Sequence, residues 1–349
     1  MDEMPLRLPF MSTVGLVMTY RCQVACPHCI IEAGPNRKEE VPLDKASIWI
    51  RQIADYGDGH VKILALTGGE PFYDIGNLEA ISSFAESCGL LVSVVTNAFW
   101  AVTEEEATRI LRSLPAIKMI SFSSDVYHQE SIPTERVKNA MNAARKCDIP
   151  HYISVTTDSK NDDGYKRLMD ELKEFAERKK IVTVTTFPAG RALKNLNRLN
   201  YETIDEPPIY SCTSVSSPII FPDGRVVACI GPIIDLHSNH PLLLGDLNRN
   251  SMEEILDGAE TNSILQAIRI WGPRKLISLI KEGGPEECLP SSYVKDSICI
   301  TCYRLMSNNK IVEFLAELSR DSDFNQKVAY ARAYYLHETK MMERLGLIP

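Results

Sequence analysis

Six short apolar segments, each followed by a helical pattern, decide the class of fold open to this chain. They cover residues 14–19, 61–66, 91–96, 118–123, 151–156 and 181–186. Near-continuous apolar runs of this length read as parallel strands buried between helices. The helical patterns start near Asp44, running through Ile48, Ile50 and Ile53, and continue over residues 77–88, 103–114, 133–146 and 164–179. Thr103-Glu-Glu-Glu106 reads as a capping box and Thr134 as a helix cap. The expected class is α/β: a partial (β/α)6 barrel over residues 12–195, its strand C-termini gathered around one mouth.

The first segment runs into Thr19-Tyr-Arg-Cys-Gln-Val-Ala-Cys-Pro-His-Cys29. Cys22, Cys26 and Cys29 are spaced Cys-x3-Cys-x2-Cys, with His28 before the last. Most iron–sulfur clusters take four cysteines. Three thiolates on one loop hold three corners of a cubane [4Fe–4S] cluster and leave one iron open. The obvious guest for that iron is S-adenosylmethionine (SAM), to which the cluster gives one electron, breaking a carbon–sulfur bond and making a carbon radical. The plainer reading is zinc. Zinc ribbons pair their ligands two by two, and His28 as a fourth ligand beside Cys29 would strain a tetrahedral site. The second segment ends in Leu66-Thr-Gly-Gly-Glu-Pro71, where two adjacent glycines let backbone approach a ligand closely. Alone such a pair is a turn. Together the two runs resemble the signature of the radical SAM superfamily.

That resemblance implies roles for further residues. Gly68, Gly69 and Glu70 would meet the amino group of SAM. Ser123, Ser154 and Thr156, at the ends of strands four and five, would bind its ribose. Backbone near Phe187 and Pro188 would meet adenine, and the Pro-x-Gly-Arg-Ala pattern found there recurs in the superfamily. For each Ser or Thr the plain alternative is turn chemistry at a strand end. Asp125 and His128, just past strand four, read as a base or substrate clamp in the mouth. Alternatively, Asp125 caps the following turn and His128 packs on the rim.

A second cysteine set begins at Cys212. Pro218-Ile-Ile-Phe-Pro-Asp-Gly-Arg-Val-Val-Ala228 reads as a hairpin turning at Pro-Asp-Gly, and Cys229 ends it. Cys299-Ile-Thr-Cys302 adds two close ligands. The layout of residues 196–307 resembles the auxiliary domain of radical SAM enzymes in its shortened twitch form, since no cysteine follows Cys302 to make the longer SPASM form. It implies one auxiliary [4Fe–4S] cluster on Cys212, Cys229, Cys299 and Cys302; a four-cysteine structural zinc also fits. Cys88 and Cys147, at helix ends, read as small buried hydrophobes. Cys288 is a spare ligand, a thiol hydrogen donor or an ordinary loop cysteine. Residues 308–349 form a helical extension that packs on the barrel or binds a partner.

A closer resemblance is to the peptide epimerases that make epipeptides. It rests on Val95-Thr-Asn-Ala-Phe-Trp100, Ser123-Ser-Asp-Val-Tyr-His128, Phe187-Pro188, Cys229-Ile-Gly-Pro232, a helix over residues 265–280 and Ser297-Ile-Cys-Ile-Thr-Cys302. In those epimerases a cysteine directly after the hairpin ligand donates the hydrogen atom that inverts the residue. This chain has Ile230 there. Unless Cys288 substitutes, the substrate radical has to be oxidised instead, with the auxiliary cluster as acceptor. The expected function is therefore oxidative crosslinking or cyclisation of a peptide substrate in natural-product (RiPP) maturation. The alternatives are peptide epimerisation, radical dehydrogenation or epimerisation of a small molecule such as an aminoglycoside precursor, and a non-enzymatic metal scaffold, against which Gly-Gly-Glu argues. About a dozen residues precede the first strand, too few for a leader-binding module, so leader recognition falls to a separate protein or to the mouth. An external electron donor such as flavodoxin or ferredoxin completes the scheme.

Composition bounds the rest. The 349 residues carry a net charge of −8, which argues against nucleic acid. No apolar stretch reaches membrane-spanning length, and the Met-Asp-Glu-Met-Pro start lacks a secretion signal. Ten cysteines without such a signal point to metal or redox chemistry in a reducing, cytoplasmic setting.

Overall fold

The computed structural model describes residues 10–195 and 199–348. The Met-Asp-Glu-Met-Pro start and the expected boundary at residue 196 lie outside them. Six strands, β1 (Thr13–Thr19), β2 (Ile63–Gly68), β3 (Leu91–Thr96), β4 (Ile117–Ser123), β5 (His151–Thr157) and β6 (Ile181–Thr185), pair in parallel in chain order. Between and after them lie α1 (Leu43–Asp55), α2 (Ile75–Ser87), α3 (Glu104–Arg112), α4 (Val126–Gln129), α5 (Thr134–Lys146), α6 (Asp163–Lys173) and α7 (Arg191–Asn195). This is the expected α/β architecture.

The strands are not sealed on both faces. Along β2, β3 and β5 burial alternates: Leu64, Leu66, Val92, Val94, Ile153 and Val155 are buried, while Ala65, Thr67, Ser93, Val95, Ser154 and Thr156 stay partly open. Period-two alternation means one face packs and the other lines open space. Two cap readings also change. Thr103 does accept the Glu106 N–H at 3.2 Å, but Glu106 lies by Arg109 instead of closing a reciprocal box. Thr134 is the first residue of α5, after Pro133, and its hydroxyl accepts from the Gln129 side chain instead of capping. Helix α6 stops at Lys173, short of residue 179.

The rest of the chain adds β7 (Thr203–Ile204), β8 (Ile219–Ile220), β9 (Arg225–Val227), β10 (Leu243–Asp246) and β11 (Tyr293–Val294). The expected hairpin is β8–β9. Its first strand lies parallel to β1, with Gly15 opposite Ile219 and Leu16 opposite Ile220. The barrel sheet therefore continues through β8, β9 and β10 to nine strands. At this pairing a Cβ on Gly15 would sit 2.2 Å from Ile219 Cδ1, so the Ile219 side chain fills the space glycine leaves. Helices α8 (Met252–Thr261), α9 (Ser263–Trp271), α10 (Pro273–Gly283), α11 (Ile298–Met306), α12 (Asn309–Leu318), α13 (Ser322–Leu336) and α14 (Thr339–Arg344) follow. The single helix expected over residues 265–280 breaks at Gly272 (φ +75°), after which Pro273 opens α10. The expected long C-terminal pattern is three helices.

That C-terminal part packs on α8, α9 and the residues before β1. Arg332, 2% exposed, reaches Glu260 of α8 at 2.5 Å and Glu338 at 3.1 Å. Glu338 also pairs with Arg269 of α9. Both guanidiniums lie over the Phe10 ring, at 4.8 and 5.7 Å. Among the described residues no helix is long and apolar enough to cross a membrane.

Candidate active site

The loop after β1 is stapled at its base. Tyr20 accepts the Gly34 N–H at 3.1 Å, and Gly34 accepts that of Cys22 at 3.2 Å. Between these points Cys22, Cys26 and Cys29 are presented together. Sulfur takes donors from its surroundings: Ala33 N–H reaches Cys29 Sγ at 3.3 Å, and Asn97 Nδ2 reaches Cys22 Sγ at 3.7 Å. Burial pushes the Cys22 thiol up to about 12, and the charges of Glu70, Cys26 and Cys29 push the same way. Thiols that oppose one another's ionisation need a positive centre before they ionise together, which fits an iron cluster. His28 is turned away from them. Its Nε2 lies 3.6 Å from Asp125 Oδ2 and its ring stacks on Tyr127 at 4.6 Å.

Gly-Gly-Glu folds against the same loop. Gly69 N–H donates to Thr19 O at 2.7 Å and Glu70 N–H to Arg21 O at 2.9 Å. A Cβ on Gly68 (φ +142°) would come 2.4 Å from Thr19 O, and one on Gly69 2.2 Å from Arg21 O. Only glycine allows two strand ends to pass so closely. The Glu70 residue has no exposed surface. Its carboxylate accepts from Phe72 N–H (3.0 Å), Thr96 Oγ1 (2.7 Å) and Asn97 N–H (2.8 Å), locking the ends of β2 and β3. Burial pushes it up to about 7 against those three bonds.

Asp125 follows β4 and is 1% exposed. It caps α4, accepting the N–H groups of Tyr127 and His128 at 3.1 and 3.0 Å, and its Oδ1 lies 2.9 Å from His128 Nδ1. Burial opposes ionisation, but the His128 and His28 rings and the His128 hydrogen bonds hold Asp125 at about 2. His128 rises well above its ordinary value: burial works against it, and contact with Asp125 overrides burial. Burial brings His28 down to about 4. Capping and pairing thus occur at once.

Ser123 and Ser154 are register partners on β4 and β5, and Thr156 faces Val184 on β6; all three remain half-buried on the open face. Phe187 and Pro188 follow β6, also half-buried. Gly190 and Arg191, within the Pro-x-Gly-Arg-Ala pattern, make contacts that the pattern alone did not assign. Arg191 donates to Cys26 O at 2.7 Å and Ala33 O at 2.5 Å, and its N–H to Cys29 O at 3.0 Å. Gly190 (φ +57°) lets the backbone pass; a Cβ there would lie 2.4 Å from Ile30 O. Gly190-Arg191 therefore grips the cysteine loop. Asn97 was missed too, because an amide after a strand carries no signal of a thiol partner.

Cys212, Cys229, Cys299 and Cys302 line one apolar pocket with Val215, Ile233, Ile268 and Pro273. Burial raises all four thiols; in Cys229, Cys299 and Cys302 neighbouring cysteines add to it. No carboxylate or amine lines the pocket, so the thiol set suits a metal or a cluster that brings its own positive charge. Ile230 follows Cys229 and is 44% exposed. Cys288 does not line the pocket. It sits on a turn after α10, 3.8 Å from Glu287 Oε1.

An open parallel sheet, with a three-cysteine loop after its first strand and Gly-Gly-Glu after its second, defines a radical SAM enzyme. Residues 16–172 match the radical SAM superfamily model. The superfamily implies SAM and one [4Fe–4S] cluster, and Cys22, Cys26 and Cys29 fit the latter. Among known proteins, the chain is 22% identical over 329 residues to YydG of Bacillus subtilis (strain 168), named as a peptide biosynthesis protein; the match covers 91% of this chain and 99% of YydG. Two solved structures share the fold. Native anSMEcpe with bound AdoMet is 14% identical, covering 88% of this chain and all of its own (TM-score 0.50). The hexahistidine-tagged form with AdoMet is 15% identical, covering 90% and 98% (TM-score 0.51).

Proposed function

We propose that this chain modifies a ribosomally made peptide, drawing a hydrogen atom from one residue and leaving an oxidised product with a new ring or crosslink. The end-to-end likeness to YydG, a protein named for peptide biosynthesis, carries the choice of substrate. In this reading residues 12–195 bind SAM through Gly68, Gly69, Ser123, Ser154, Thr156 and the backbone at Phe187 and Pro188. Residues 196–307 hold a second cluster, and 308–349 brace the barrel. A flavodoxin- or ferredoxin-type protein supplies the electron.

Beside a radical SAM core, the four-cysteine set favours a second iron–sulfur cluster over zinc. A cluster bound there would provide a one-electron acceptor. Ile230, beside Cys229, has no hydrogen atom to give as a thiol does, which favours oxidation over inversion.

The test is to incubate the reconstituted enzyme with a peptide encoded beside its gene. A product lighter by two hydrogens supports the reading. Unchanged mass with inverted stereochemistry makes it an epimerase, and Cys288→Ala then asks whether that thiol is the donor. Cys26→Ala should abolish 5′-deoxyadenosine release while sparing the second site. Cys299→Ala with Cys302→Ala should lower iron by about half, an estimate from two four-iron sites, and stop product while SAM cleavage persists. Wild-type iron in that double variant would remove the second cluster from the scheme.

A further inference from the structure

The cysteine loop is held from two sides. On one side Arg191 binds the carbonyls of Cys26 and Ala33. On the other stands His28, a loop residue next to Cys29, edge-on to His128 at 5.0 Å. Asp125 lies between the two rings, its Oδ1 2.9 Å from His128 Nδ1 and its Oδ2 3.6 Å from His28 Nε2. Oδ2 is buried and has no hydrogen-bond partner, and neither have His28 Nδ1 and His128 Nδ1. One carboxylate thus faces both the β4–α4 turn and the cysteine loop. At 1% exposure it is shut off from a substrate in the mouth.

We infer that His28, Asp125 and His128 form a strut that sets the Cys26–Cys29 arm of the loop against the end of β4, so that Asp125 and His28 are positioning residues for SAM binding. Groups that hydrogen-bond around a metal's ligands orient those ligands and change affinity without touching the reacting atoms. Here the link runs through His28, covalently joined to Cys29. The stack on Tyr127 fixes the ring plane, and Asp125 Oδ2 faces the ring edge 3.6 Å from Nε2, without a hydrogen bond. The inference stands on the radical SAM assignment alone, whatever the substrate proves to be, so a failed peptide assay leaves it intact.

The test uses the reconstituted full chain and three variants. His28→Phe keeps the stack on Tyr127 and loses the contact to Asp125. Asp125→Asn keeps an acceptor for the α4 N–H groups and loses the charge. His28→Gln restores an N–H donor of similar reach. The first two should raise the SAM concentration for half-maximal 5′-deoxyadenosine release about tenfold, the effect falling there more than on the maximal rate. They should also alter the change that SAM makes in the electron paramagnetic resonance spectrum of the reduced cluster. His28→Gln should recover most of both. Wild-type half-saturation and spectra in His28→Phe would overturn the strut. Loss of maximal rate at unchanged half-saturation in Asp125→Asn would overturn it as well, placing the carboxylate at the reacting atoms. So would iron or zinc beyond the clusters that disappears in His28→Phe, since the three groups would then be a metal site. If Asp125→Asn does not fold, His28→Phe decides alone.

Discussion

Glu70 shows how much a single residue in a recognised motif depends on its surroundings. Its sequence context points to SAM, yet its carboxylate is spent on Thr96, Asn97 and Phe72. Buried with a carboxyl pushed from 4.5 up to about 7, it keeps its proton in the folded state over a range where the unfolded chain has lost it. Its contribution to stability is therefore complete below about pH 4.5 and lost as pH rises through 7. The span is worth on the order of 3 kcal/mol. In the apo-protein, the melting temperature of the wild type should fall between pH 5 and 8 more steeply than that of Glu70→Gln, whose amide does not titrate. Parallel pH profiles would mean that the three donors hold the carboxylate ionised throughout.

At the scale of elements, breaks carry more information than the helices and strands themselves. Gly272 separates α9 from α10, and its φ of +75° with ψ of 172° is a conformation essentially confined to glycine. A Cβ would also press 2.0 Å from Tyr210 O, on the segment that leads to Cys212. Gly272→Ala should cost about 1–3 kcal/mol from the backbone alone, read as a lower melting temperature. Because Cys212 N–H bonds Ile268 O in α9 at 3.2 Å, the same variant should lose iron from the second site while the three-cysteine loop keeps its own. Equal loss from both sites would show general unfolding instead.

For the whole molecule, the C-terminal helices are bound by buried charge. Arg332 joins Glu260 to Glu338, and Arg269 and Phe10 complete the group. Removing one partner of a buried pair leaves the other uncompensated, so Arg332→Met should cost about 3–5 kcal/mol. Pairing it with Glu260→Gln should return a large part of that loss, because no unpaired charge then stays inside. Chemical denaturation of the single and double variants measures it; a double variant no better than Arg332→Met would mean that packing on Phe10 matters more than charge.

The sequence alone determined the periodic and the local. Apolar runs separated by helical patterns gave six parallel strands in order, since strand burial and helix amphipathicity are written residue by residue. The Cys-x3-Cys-x2-Cys run and Gly-Gly-Glu marked the mouth because short motifs on one loop need no long-range contact to be recognised. Tertiary structure decided what depends on distant residues meeting. That β8 pairs with β1 across some 200 residues, that Arg191 holds a loop near residue 26, and that His28 faces Asp125 and not the thiols follow from packing. A side chain's partner in another element leaves no period in the chain, and neither does the burial that turns Glu70 inward; both arise only when the sheet brings its strand ends together.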